Sequence, residues 1–142
     1  NTLFFSNNKN QFFSIDLETG SFNWENKINS NIRPSLVGNY LFTVSSEGLL
    51  IVIEKKTGNI IRVTDIFKNF KKGKRDKIKP VGFIIGIKNI YLTTNNGRLV
   101  VINTKTGKTE SILKIDNDKI SRPFVLNKNL FVIKDNAIIK LD

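Results

Sequence analysis

The chain of 142 residues has no cysteine, no histidine and no methionine, one tryptophan, three prolines and, at position 137, a single alanine. Without cysteine there is no disulfide framework, no thiolate nucleophile and no sulfur-rich zinc site. Without histidine there is no imidazole base titrating near neutral pH. These absences remove most common hydrolytic and metal-dependent mechanisms, and they leave the redox compartment open. No Gly-x-Ser-x-Gly elbow marks a serine nucleophile. Long apolar runs are missing as well. The longest, VGFIIGI at 81–87, stops at Lys88, far short of the roughly 18 residues of a membrane-spanning helix.

What is abundant is Asn, Ile and Lys, at 19, 20 and 18 residues. That is the composition of an AT-rich coding sequence, so part of the net charge of +11 is background. The cations are 18 Lys and only five Arg, whereas base-edge and bidentate phosphate recognition favour the Arg fork. Nucleic acid is therefore not the expected partner. A hydrophobic content of 39% is enough for one folded core.

Two anchors recur along the chain. Thr-Gly pairs stand at Thr19-Gly20, Thr57-Gly58 and Thr106-Gly107, spaced 38 and 49 residues, and basic-Pro pairs at Arg33-Pro34, Lys79-Pro80 and Arg122-Pro123, spaced 46 and 43. A unit of about forty residues, interrupted near 67–79, has the period of a four-stranded propeller blade. The clearest copy reads PSLV, YLFTVS, LLIVIE, IIRVTDI. Branched and aromatic residues fill the runs while Gly, Asn, Asp and Ser occupy the joints, the pattern of strands and hairpins. Counting runs gives three strands in 1–30, four in 32–66, four in 80–116 and three in 122–142.

The frame IDLETGSFNW at 15–24 returns as IEKKTGNII from Ile53 and INTKTGKTE from Ile102. A turn between two strands needs a side-chain acceptor for backbone N–H groups, then a hydroxyl, then a residue that tolerates positive φ. Asp16, Glu54 and Asn103 are the acceptors, Thr19, Thr57 and Thr106 the hydroxyls, and Gly20, Gly58 and Gly107 the left-handed positions. The aromatic follower Trp24, replaced by Arg62 and Ser111 in the later copies, is expected to pack between neighbouring blades. The loop opens no helix, so these glycines do not form a phosphate cradle.

These residues resemble the quinoprotein-type (PQQ-like) propeller repeat, whose frame is A-x-D-x-x-T-G-x-x-x-W; SIDLETGSFNW departs from it only in carrying Ser14 where Ala is usual. The expected fold class is all-β, a β-propeller fragment of about three and a half blades. Its expected parts are 1–30, a blade without its first strand; 31–66, a complete blade; 67–79, a basic insertion; 80–116, a complete blade; and 117–142, a blade without its last strand. Because propellers close with about four to eight blades, the chain reads as a piece of a longer protein or multimer, able to self-associate through open blade edges.

Chemistry has few places to live. Quinoprotein enzymes resemble this repeat but hold their cofactor with calcium, acidic and amide ligands and often a Cys pair. No such set is visible here, so no cofactor, no metal and no enzyme activity are expected. Asp116 and Asp118 stand in a D-x-D order without the Gly turn or closing Glu of a calcium loop, and DNDKISR reads as a polar connector. The densest signal is FKNFKKGKRDKIK at 67–79, with seven basic residues and one acidic residue, Asp76. Read as a solvated loop it needs no function; read as a contact loop it offers Phe67 and Phe70 as anchors among Lys71, Lys72, Lys74 and Arg75. Arg33, Lys79 and Arg122 precede the innermost strands and are expected to share an end of the channel with it.

The order of features also resembles the C-terminal half of the BamB family of outer-membrane assembly lipoproteins: Trp24 in one copy of three, an extension before KPVGFIIGIKNIYLTTNNG, and the ending NLFVIKDNAIIKLD. The resemblance implies a non-catalytic scaffold on the periplasmic face of the outer membrane, anchored by an upstream lipid. Its implied partners are the periplasmic domains of the β-barrel insertase and unfolded outer-membrane proteins. The alternatives are a PQQ-like sensor or adhesion propeller and a fragment of a quinoprotein dehydrogenase.

Overall fold

The computed structural model describes residues 1–7 and 9–141. The chain divides into two compact units, Asn1–Asp65 and Ile66–Asp142. In the first, β1 (Thr2–Ser6), β2 (Phe12–Asp16) and β3 (Phe22–Asn26) form one antiparallel sheet, and β4 (Ser35–Val37), β5 (Tyr40–Val44), β6 (Leu49–Glu54) and β7 (Ile60–Asp65) form another. In the second, a single helical turn α1 (Lys72–Arg75) precedes the sheet of β8 (Pro80–Ile85), β9 (Asn89–Thr94), β10 (Arg98–Asn103) and β11 (Thr109–Lys114). The sheet of β12 (Phe124–Leu126), β13 (Asn129–Lys134) and β14 (Ala137–Leu141) follows. The all-β expectation is borne out. Among the described residues the one helical turn falls in the Lys-rich insertion, where straight side chains replace the branched residues that hold the rest in strands.

Every sheet pairs strands in chain order, so each is a meander. The Thr-Gly loops join β2 to β3, β6 to β7 and β10 to β11, which makes β1–β3 the counterparts of β5–β7. The short β12 corresponds to β4, and β13 and β14 to β5 and β6.

The recurring frame is the turn its residues predict. Asp16 Oδ1 accepts the N–H groups of Glu18 and Thr19 at 2.8 and 3.0 Å, and Ser21 N donates to Thr19 Oγ1 at 3.2 Å. Glu54 and Asn103 accept from Thr57 N and Thr106 N at 2.8 and 3.0 Å. Gly20, Gly58 and Gly107 sit at φ of 72°, 77° and 71°. Just before each acceptor the register shifts by a bulge, at Ser14/Ile15, Val52/Ile53 and Val101/Ile102. Such a bulge lets a five-residue loop close a pair of strands whose pleat would otherwise fall out of phase.

The core runs through the middle strands. Leu41–Val44 and Leu50–Ile53 are buried without interruption, as are Leu92–Thr94 and Leu99–Ile102, whereas no residue of β7 or β11 is buried. Strands buried on both faces have no polar side and read as continuous apolar runs. In the first unit Phe12, Trp24, Ile28, Leu41, Ile51 and Ile53 make one cluster, with Phe4 and Leu49 against it. Trp24 stacks on Phe12 with centroids 6.0 Å apart and an 8° interplanar angle, and its indole N–H donates to Lys55 O at 2.9 Å. The ring thus leaves its own sheet to cover the Glu54–Asn59 turn of the next, the packing its place in the repeat predicts.

Candidate functional site

The basic segment is built from its apolar ends inward. Ile66, Phe67 and Ile78 are buried, and Thr109 Oγ1 on β11 donates to Ile66 O at 2.9 Å. Asn95, in the turn between β9 and β10, clasps the other end. Its Nδ2 donates to Lys77 O at 3.0 Å, its Oδ1 accepts from Lys79 N at 2.8 Å, and its own N–H donates to Lys79 O at 2.9 Å. Between these ties the chain folds on itself, Phe70 N to Phe67 O at 2.9 Å, Lys74 N to Lys71 O at 2.9 Å and Ile78 N to Arg75 O at 3.0 Å. The result is a short, tethered rise.

This arrangement corrects one site expectation. Phe67 is 0% exposed and belongs to the core, so it cannot anchor a partner. Ile66 beside it and Ile78 at the far end of the segment are buried as well. Phe70 is half-buried and meets the Phe67 ring edge-on, centroids 5.3 Å apart at 87°. Lys71, Lys72 and Lys74 are exposed and Arg75 is half-buried.

The other candidates sit before first strands. Lys79 leads into β8. Arg122 is exposed and lays its stem over β8, for a Cβ on Gly82 would come within 2.4 Å of Arg122 Cβ. Lys79 and Arg122 therefore flank the same strand. Arg33, in the first unit, is exposed beside Pro34 and lines a cleft of about 400 Å³ with Phe4, Ser6, Asn7 and Ser30. In the second unit an apolar cleft of about 860 Å³ lies among Tyr91, Leu99, Val101, Leu113, Val125 and Leu130.

Asp116 is committed to its own connector. Its Oδ1 accepts from Asn117 N and Asp118 N at 2.7 and 2.9 Å, and its other oxygen pairs with Lys134 on β13. The Lys134 ammonium first, then the N–H groups of Asp118 and Asn117, hold the carboxyl at about 2, well below the usual carboxylate range. Among the described residues no group of three or more His, Cys, Asp or Glu side chains could hold a metal ion. Asn95 and Thr109 are the positioning residues that pattern reading missed. Asn95 carries a turn signal in NNG, but nothing local marks Thr109, whose bond spans 43 positions.

Comparison with solved structures places the architecture in a class. The chain superposes on BamB from Moraxella catarrhalis with a TM-score of 0.75 at 14% identity, over 98% of this chain and 39% of that one. It superposes on the computationally designed Ika4 protein with a TM-score of 0.76 at 11% identity, covering 99% and 84%. Hydrazine synthase from Kuenenia stuttgartiensis gives 0.74 at 16% identity, covering 99% and 42%. The chain is a β-propeller protein, and it spans about two fifths of the length of the Moraxella protein. Residues 1–64 match the family model of the outer membrane protein assembly factor BamB. No curated protein sequence matches it.

Proposed function

We propose that this chain is a non-catalytic, protein-binding part of a BamB-like scaffold that assists assembly of β-barrel outer-membrane proteins at the periplasmic face of the outer membrane. The carrying observation is the family match over residues 1–64, the half that holds Trp24 and its seat on the next turn. On this reading the repeat units are the blades 1–30, 31–66, 80–116 and 117–142, with 67–79 inserted between two of them. Its partners are the periplasmic domains of the β-barrel insertase and unfolded outer-membrane proteins. A chain without imidazole or thiol suits binding better than catalysis. Arg33, Lys79 and Arg122 are the proposed protein contacts, each a cation just before the first strand of its sheet, where Arg stems and forks serve as interface anchors.

The test is binding of the purified insertase periplasmic domains to the intact chain by calorimetry. Saturable binding is expected, weakened about tenfold or more by Arg122→Glu, because reversing a contact charge sets like charges against each other. Absence of binding at millimolar concentration, with the chain folded, overturns the assembly reading.

A further inference from the structure

We propose that the 67–79 rise is a foot for anionic phospholipid, a basic surface that rests on the headgroups of the membrane beside which the scaffold works. Lys68, Lys71, Lys72, Lys74 and Lys77 are exposed there, against a single carboxylate, Asp76. Of its aromatics, Phe67 is core and Phe70, half-buried, leans edge-on against it rather than standing free. A protein hot spot favours an aromatic or Arg anchor in a desolvated pocket, whereas the exposed cations of this segment are all Lys and its one Arg, Arg75, is half-buried. A single-stranded nucleic acid needs exposed rings to stack on. A charged lipid surface needs neither, since compact ammonium groups meet a delocalised field of phosphates without fixed geometry.

The ties give this charge a built form. Thr109 holds Ile66, Asn95 holds Lys77 and Lys79, and the turn of α1 gathers Lys71, Lys72 and Lys74 at the crest. A polybasic stretch in a loose loop loses conformational freedom when it docks, whereas this one is ordered beforehand. The choice of a lipid surface rests on the outer-membrane setting of the scaffold reading, and the experiment lets the two fail separately.

The probe is co-sedimentation of the intact chain with vesicles of phosphatidylethanolamine containing phosphatidylglycerol, against vesicles of a neutral lipid alone. The parent is expected to bind only the anionic vesicles, and less as salt rises through about 0.15 M. Replacing Lys71→Gln, Lys72→Gln, Lys74→Gln and Arg75→Gln together is expected to lower partitioning on the order of a hundredfold at low salt. A charge-matched variant, Lys9→Gln, Lys27→Gln, Lys56→Gln and Lys108→Gln, is expected to stay within about threefold of the parent. Unchanged thermal melting shows that both variants fold. Equal loss in the two variants reduces the effect to net charge and overturns the proposal. So does a crest variant that binds vesicles like the parent, including one that loses only the insertase domains or only nucleic acid. Loss of vesicle binding with insertase binding intact supports the foot, and absence of insertase binding in every variant refutes only the scaffold reading.

Discussion

The Thr-Gly turns at Gly20 and Gly58 have the same backbone, yet they differ in what lies above them. Both glycines are left-handed, at φ of 72° and 77°, and both turns are capped by an acidic side chain. A Cβ on Gly20 would meet nothing within 4 Å, whereas one on Gly58 would fall 2.7 Å from Trp24 Cγ and Cδ2. At Gly20 the residue is required by torsion alone. At Gly58 it is required twice, by torsion and by the indole that closes the sheet-to-sheet contact. One motif in sequence thus carries two different energetic loads.

The largest effect should come from removing the ring that makes the difference. Trp24→Ala is expected to cost about 3–5 kcal/mol in urea unfolding, the range for truncating a buried aromatic. Gly58→Ala should cost about 3–4 kcal/mol, combining left-handed strain with overpacking, while Gly20→Ala should cost only about 1 kcal/mol for the torsion. The decisive measurement is the double variant. In the Trp24→Ala background the cost of Gly58→Ala should fall to about 1 kcal/mol. If it stays at its single-variant value, the indole does not distinguish the two turns.

A smaller effect separates the caps. Hydrogen bonds from the loop lower the carboxyl pKa at both sites, with the Thr19 backbone N–H leading for Asp16 and the Thr57 hydroxyl leading for Glu54. Each carboxylate therefore contributes stability that is whole above its unfolded pKa and is lost as pH falls through the lower folded one. Acid titration of the melting temperature should flatten in part for Asp16→Asn and for Glu54→Gln, with the parent steeper than either. The connector at Asp116 is a third case of the same rule. With its pKa near 2, its contribution should persist below that of an ordinary carboxylate and vanish as pH falls through about 2. Lys134→Met should move that loss to higher pH, and an unchanged acid limb would count against the ion pair.

What could be read beforehand follows from how local each device is. The turn closes within five residues, so Asp16, Thr19 and Gly20 announce it together, and the strands beside it follow from branched residues in short runs. Trp24 was legible as an inter-sheet residue, but its partner was not, since nothing in KKTG says that Gly58 is roofed. Phe67 misled because an aromatic among lysines reads as exposed. It is buried along with Ile66 and Ile78, in a segment tied down by Asn95 and Thr109 through bonds that span 18 and 43 positions. Pattern reveals short closures; it does not reveal which side chains a distant strand will cover.

The meander order of the sheets carries a consequence for time. In each sheet every strand pairs with its neighbour in the chain, across loops of a few residues. Closing a short loop is fast and costs little entropy, while joining distant segments is slow. Such a sheet can form its hairpins as soon as its own residues are free, without waiting for residues far ahead. A chain released from its N-terminus onward would therefore fold sheet after sheet, in the order in which their hairpin turns emerge.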